Sequence, residues 1–429
     1  MSFINLAKLI RKTFTTSIGY VIQIAAGFAF ARLLSIVIIS VSAHALAIDE
    51  YADFLYAFSL AHIVAQVAGL GWYSLIRKKS ATFHDVTNYS ISNESKGFFI
   101  ASFIFPICWM IITVLVLYGA IYFKFSSGQM EHGIQSAIIL VLPLLLANIF
   151  REYLVGLGSI RVGVLLGEVL PLLFTLIAIL LAADLNALNI IATLSMAYTF
   201  SIFVQAIILK RLMPRNVFLG KPVLELKSYL TSSFQRALGA GSRFLTDKVD
   251  VVLIAPIVGV VQMAEFNSAN RISLVILIIP LALLEYFSSR VSRDFHQGKF
   301  EEVKKHVMLQ LKVLTMLLVP VWGVSVLFGN DILQFFFGKG LHFSSDLLEI
   351  LLLANILFAC SLPFSSLLLM TDGERSYAWV NSLSLITCFI ASYYSASYYG
   401  PIGAAMALLL ANSLLTLLTV YFGWKSLRV

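Results

Sequence analysis

Residues 236–280 read RALGAGSRFLTDKVDVVLIAPIVGVVQMAEFNSANRISLVILIIP. Two long apolar segments meet here at a short turn near 261–265, as in a pair of membrane-spanning helices. Arg243, Asp247, Lys248, Asp250 and Arg271 nevertheless sit inside those segments. Each such charge costs about 2.5–3.5 kcal/mol on insertion scales. On a 3.6-residue helix Arg236, Arg243, Asp247 and Asp250 share one face. Arg243 and Asp247 are spaced for an internal ion pair, and Asn267 and Arg271 repeat that spacing. Lys248 lies about 100° round from the stripe. Two readings follow: self-neutralising pairs packed between helices, or the wall of a wet, charged cavity inside a membrane bundle.

The whole chain fits a polytopic membrane protein. Its 429 residues are 59% hydrophobic and 12% charged, against about 25% charged in soluble domains. Mean hydropathy is +0.91. The net charge of +8 therefore bears on topology and anionic lipids rather than nucleic acid. Cys108, Cys360 and Cys388 all fall in apolar segments, which gives neither a disulfide framework nor a metal spacing. The basic start, MSFINLAKLIRKTFTTS, leads into an apolar run too long for a signal peptide, and we read it as a first span.

At about 20 apolar residues per crossing, hydropathy predicts an all-α protein of about twelve spans: 17–43, 51–76, 97–122, 134–157, 161–183, 188–211, 236–260, 264–289, 307–329, 346–370, 377–398 and 402–424. The longest middle loop divides them into an N-terminal lobe (1–211), a linker (212–235) and a C-terminal lobe (236–429) around a central cavity. The halves echo each other faintly, DEYADFLYAFSL against AEFNSANRISL, each followed by an apolar run and an arginine. Parallel repeats of this kind bind cargo at the midplane between halves. Alternate loops collect the basic residues, from Lys8, Arg11 and Lys12 through Arg77–Lys79 to Lys425 and Arg428. The opposite loops hold only Lys124 and Lys339. By the positive-inside rule both termini are cytoplasmic. The segment 288–306 mixes basic and apolar residues, and reads either as an amphipathic helix on the inner surface or as a solvated linker.

Arg32 is the outstanding single residue. It interrupts the apolar first span with no acidic residue at i±3 or i±4, so it needs water, a partner helix or an anion. With Arg243, Lys248 and Arg271 it makes four cations at membrane depth, partly neutralised by Asp247 and Asp250. Guanidinium forks suit phosphate oxygens, so the implied ligand is a phosphate or pyrophosphate. Ser59, His62, Gln66, Gly69 and Tyr73 fall on one stripe of the second span, with Asp53 near its outer end. That stripe suits a sugar-lined cavity or plain interhelical hydrogen bonding. Glu168 shares a face with Arg161 and reads as a structural partner. Nucleotide-binding, metal and hydrolase motifs are absent; we expect a non-enzyme without metal or cofactor.

The run LTDKVDVVLIAPIVGVVQMAEFNSANRISLVILIIPLALLEYFSSRVSRDFHQGKFEEV resembles the seventh-to-eighth-span region of polysaccharide flippases. The matching residues are Asp250, Gly259, Phe266, Ala269, Arg271, Pro280, Ala282, Leu283, Arg290 and Arg293. ARLLS, IDEYADF, GLGWYSLIRK and LLMTDGERSYAW resemble family elements elsewhere. The resemblance implies the multidrug/oligosaccharidyl-lipid/polysaccharide exporter superfamily: two six-helix lobes moving an undecaprenyl-pyrophosphate-linked oligosaccharide, such as an O-antigen unit, across a bacterial inner membrane. On that reading Arg32, Arg243, Lys248 and Arg271 hold pyrophosphate, and Asp247, Asp250 and Asp53 tune the cavity or couple an ion. Ser59, His62, Gln66 and Tyr73 face the glycan. The expected partners are the lipid-linked oligosaccharide, membrane lipids and other polysaccharide-assembly proteins; the protein is expected to be a monomer. The rivals are a multidrug or cation antiporter of the same architecture and a membrane-embedded polymerase, whose large outer loops this chain lacks.

Overall fold

A backbone inside lipid must satisfy its own hydrogen bonds, and helices do so segment by segment. The computed structural model describes residues 26–426 except 70, 82, 84–88, 123–127, 183–184, 214–216, 218–221, 282, 285–290, 292–293, 296, 339–344 and 371–372. Among the described residues there is no strand. The helices are α1 (Ala26–Ala45), α2 (Ile48–Ala68), α3 (Trp72–Ala81), α4 (Tyr89–Tyr122), α5 (Gly128–Gly156), α6 (Ile160–Leu181), α7 (Ala187–Leu212) and α8 (Leu226–Thr246). They continue with α9 (Val260–Leu281), α10 (Phe300–Phe337), α11 (Ser345–Met370) and α12 (Glu374–Ser426).

Nine of the described helices are long and apolar enough to cross a membrane, or ten if α2 and α3 form one bent span. The 53-residue α12 is far longer than the roughly 20 residues one crossing needs. It kinks at Gly400 (φ 58°), just before Pro401, and so supplies two crossings. α8 carries the charges that keep it from reading as an ordinary span. The order of apolar segments expected from hydropathy is therefore retained, in two lobes.

Three departures matter for the site. The second span is not continuous: α2 and α3 meet at 57°. Gly71 takes φ +78°, and a Cβ there would collide with the Ser233 carbonyl oxygen. This break lets the start of α8 lie against α3, where Lys79 sits over the Tyr229 ring and Phe98 packs edge-on against it. Second, α8 starts earlier than the seventh predicted span and stops at Thr246. A turn at Asp247 and Lys248 leads into a π-helical turn, Asp250–Ile254. Third, α6 contains a π turn at Leu165–Val169. Both π turns lie just before a proline, Pro256 and Pro171, which lacks the amide donor that would close the ladder. The Ser201 hydroxyl of α7 donates to the Leu166 carbonyl in the π turn of α6, and Gln205 in turn donates to Ser201.

Tyr118, Tyr122, Tyr393, Tyr394, Tyr398 and Tyr399 are exposed at helix ends on one face. They suit a membrane–water interface. This is the face where α4 ends and α10 ends, hereafter the sparse face; the opposite one is the basic face. Of the 288–306 segment, residues 288–290, 292–293 and 296 lie outside the described residues, and from Phe300 on it is the start of α10. Its Val291 packs with Val303 and Leu367, beside Phe295, Phe300 and Trp424, so this part is docked on the C-terminal lobe.

Candidate functional site

The lobes meet along α1 and α2 on one side and α9 and α10 on the other. Arg32 donates from Nη1 to the Leu274 carbonyl across 3.0 Å. One turn on, Arg271 donates to the Ser35 hydroxyl at 3.1 Å. These contacts run α1 antiparallel to α9. The Tyr51 and Ser268 hydroxyls share a hydrogen bond of 2.7 Å, and the Asn267 amide reaches the Ser59 hydroxyl at 3.3 Å. Nearest the sparse face, the Ser40 hydroxyl donates to the Phe336 carbonyl. All five join residues more than 200 positions apart. They fall at mid-depth or towards the sparse face; towards the basic face the start of α8 also lies against α3 and α4.

Arg32 has no ion pair among the described residues. The charges of Asp247, just after α8, and Glu168 from α6 both act on it. Leu274, its partner, opens a 3₁₀ turn (Leu274–Leu277), where the regular helical ladder changes step. Arg271 also donates from Nε to Asn267 and lies over the Phe58 ring. The spacing of Asn267 and Arg271 thus gives the contact that the helical phase implied. Lys248 lies in the turn after α8, and its charge and that of Arg271 both act on His62. The His62 ring sits against Phe58, with Nδ1 on the Phe58 carbonyl at 2.8 Å.

Arg243 behaves differently. It pairs with Asp247, as the i, i+4 spacing predicts, donates to Asn412 at 2.9 Å, and stacks on Phe358 at 3.6 Å. It is therefore fixed inside the C-terminal lobe. Its Nε is buried without a hydrogen-bond partner. The Asp250 side chain and that of Arg236 lie outside the described residues.

The polar stripe of the second span is split. Ser59, His62 and Gln66 remain on α2. Tyr73 follows the break, folds back over Gly69 and donates to the Ala65 carbonyl at 2.8 Å. It is buried inside the N-terminal lobe, away from the other three. Asp53 is turned from the seam as well. It lies on the side of α2 opposite Tyr51, where the charges of His132, Asp49 and Glu50 act on it, and its Oδ1 is buried and unbonded.

A second charged cluster lies within the N-terminal lobe. Glu152 accepts from Arg77 at 2.8 Å and from Arg151 at 3.0 Å, and Arg151 also pairs with Glu168. Sequence reasoning put Glu168 with Arg161 on its own helix. The structure pairs it with Arg151 from the preceding helix. The seam hydroxyls of Ser35, Ser40, Tyr51 and Ser268 also escaped the sequence reading. A lone hydroxyl in an apolar run has no pattern that marks it.

Beside the seam lies an apolar cavity of about 280 Å³. Leu33, Ile36 and Val37 of α1 face Ile272, Val275 and Ile276 of α9 across it, with α10 and α11 closing the far wall. Leu33 and Val37 on its wall are partly exposed. No group of three metal-binding side chains occurs among the described residues.

A family model described as MatE matches residues 244–394, roughly a third of the chain. The solved structure titled "Inward-facing conformation of a multidrug resistance MATE family transporter of the MOP superfamily" superposes with a TM-score of 0.72 at 15% identity, covering 92% of this chain and 94% of that one. The chain has the fold of the MATE transporters. The outward-facing form of a multidrug MATE transporter gives a TM-score of 0.64 at 17% identity, with coverage of 95% and 94%. The lipid II flippase MurJ, in an inward closed conformation, gives 0.72 at 14% identity, with coverage of 95% and 89%. Comparison with curated protein sequences finds no match. In this MATE fold the cations Arg32 and Arg271 sit where the two lobes touch.

Proposed function

We propose that the protein is a transporter that moves a lipid-linked anion across the membrane by alternating access, with a polyprenyl-pyrophosphate-linked oligosaccharide as cargo. The observation that carries this reading is the pairing of Arg32 and Arg271 at the seam with an apolar cavity beside them. A headgroup phosphate suits the guanidinium groups, and a hydrocarbon tail suits the cavity. Lys248 adds positive charge near His62. Ser59, His62 and Gln66 face the glycan, whereas Tyr73 drops out of that role. Asp247 and Asp250 tune the cations or couple an ion. The sequence-based orientation puts the basic face in the cytoplasm of a bacterium, with the protein as a monomer in the inner membrane.

A second reading is multidrug or cation export, and the comparisons weigh on its side at least as heavily. The MatE match and the multidrug transporter structures favour it. Against it, Glu168 and Asp247 are each already bonded to an arginine, which leaves those carboxylates less able to hold a cationic drug. Reconstitution into liposomes separates the two. The first reading expects flipping of a polyprenyl-pyrophosphate glycan and no gradient-driven uptake of a fluorescent organic cation. Cation uptake without glycan flipping would establish the second.

A further inference from the structure

We infer that Arg32 is also the lock of the sparse-face seam, and that the anionic headgroup of the cargo opens it. This rests on the lipid-linked-anion reading above. The seam is closed by hydrogen bonds to neutral groups. Arg32 spends its guanidinium on one backbone carbonyl, Leu274, and Arg271 spends a nitrogen on the Ser35 hydroxyl. A phosphate offers both opposite charge and two oxygens in the plane of the fork, which is the stronger partner. A guanidinium turned to the phosphate leaves the carbonyl across the seam. Headgroup binding and closure of the sparse face therefore compete for the same atoms. The charges of Asp247 of the C-terminal lobe and Glu168 of the N-terminal lobe both act on Arg32 while the seam is shut.

The contrast with Arg243 and Arg151 supports the assignment. Those two already hold carboxylates, and an anion gains less from displacing them. If the anion opens the seam, closing the seam must weaken the anion by the same factor.

The test uses the full chain in lipid nanodiscs, with spin labels at Ile48 of α2 and Phe335 of α10. Both are exposed near the sparse face, one in each lobe. Farnesyl pyrophosphate is the probe and farnesol the control. The expected result is a longer inter-label distance with the pyrophosphate but not with the alcohol. The open population should rise about fivefold or more, the lower end of ordinary allosteric coupling. Arg32→Ala should already show the open distance without ligand, and Arg32→Lys an intermediate population. Binding of farnesyl pyrophosphate with no distance change overturns the lock while leaving the transport reading intact. Absence of binding overturns both. The wild-type measurement stands alone if Arg32→Ala does not fold.

Discussion

In the N-terminal lobe Arg151 is clasped by Glu152 and Glu168, with Arg77 on the far side of Glu152. At the seam Arg32 is held by a single backbone carbonyl from the other lobe. Both guanidinium groups lie in apolar helices, yet their surroundings differ. A cation bonded to carboxylates of its own lobe keeps its partners when lobes move. A cation that reaches across a seam must change partners if the lobes separate. The first arrangement holds a lobe together; the second suits a step in a cycle. Intramembrane charge alone does not mark a site; what the charge is bonded to, and from which lobe, decides.

The largest expected effect lies in the clasped cluster. Glu152→Ala removes the carboxylate that bridges Arg77 and Arg151. Breaking a buried pair from one side costs about 3–5 kcal/mol. The variant should be nearly absent from membrane fractions while Arg32→Ala is present at wild-type amounts. Equal abundance of both would break the comparison.

Next is Arg32 itself. Losing one partner of a buried, hydrogen-bonded charge contact costs about 2–5 kcal/mol, so Arg32→Ala should lower transport thirtyfold or more. Arg32→Lys keeps the charge without the fork and should retain part of the activity. Surface glycan normalised to membrane protein level reads both. Wild-type glycan from a normally expressed Arg32→Ala protein would leave the anion site to Arg271 and Lys248.

Arg243 and Asp247 fall between the two classes. They pair between the last turn of α8 and the turn that follows it, but Asp247 also acts on Arg32. Either single change to an apolar residue should lower the melting temperature of purified protein. Arg243→Met with Asp247→Leu should recover it, since buried pairs can be exchanged for apolar packing. We expect the recovered protein to remain slow in flipping. Full transport by the double variant would move the pair into the clasped class.

The bundle was legible from hydropathy because every crossing must be apolar whatever its neighbours. The i, i+4 contacts Arg243–Asp247 and Asn267–Arg271 were legible for the same local reason. The break at Gly69–Gly71 was not, since GLGWYSLI is as apolar as a continuous span and only the approach of Ser233 shows why it bends. Tyr73 consequently leaves the stripe that helical phase alone gives it. Glu168 was given Arg161 because helical phase sees its own helix; Arg151 comes from the one before. Partners across a seam depend on how two lobes dock, and periodicity carries no information about docking.

The smallest effect tests whether Ser59 belongs to the seam or to the cargo. Its hydroxyl accepts from Asn267 at 3.3 Å, a long bond, and Asn267 in turn accepts from Arg271. Side-chain hydrogen bonds between membrane helices average about 0.6 kcal/mol. Ser59→Ala should therefore raise the open population of the sparse face only about threefold, by that same energy. Tyr51→Phe removes a shorter, fully buried bond to Ser268 and should do somewhat more. The rate at which a cysteine at Ile48 reacts with an impermeant thiol reagent measures both, in protein whose own three cysteines are replaced. A seam residue changes this rate whatever the glycan. A glycan-facing residue leaves it unchanged and instead alters the flipping ratio between two cargoes that differ only in their first sugar. If Ser59→Ala moves the ratio and not the rate, Ser59 belongs to the cavity wall. The Asn267 contact is then incidental to closure, and the seam rests on Arg32, Arg271, Tyr51 and Ser40.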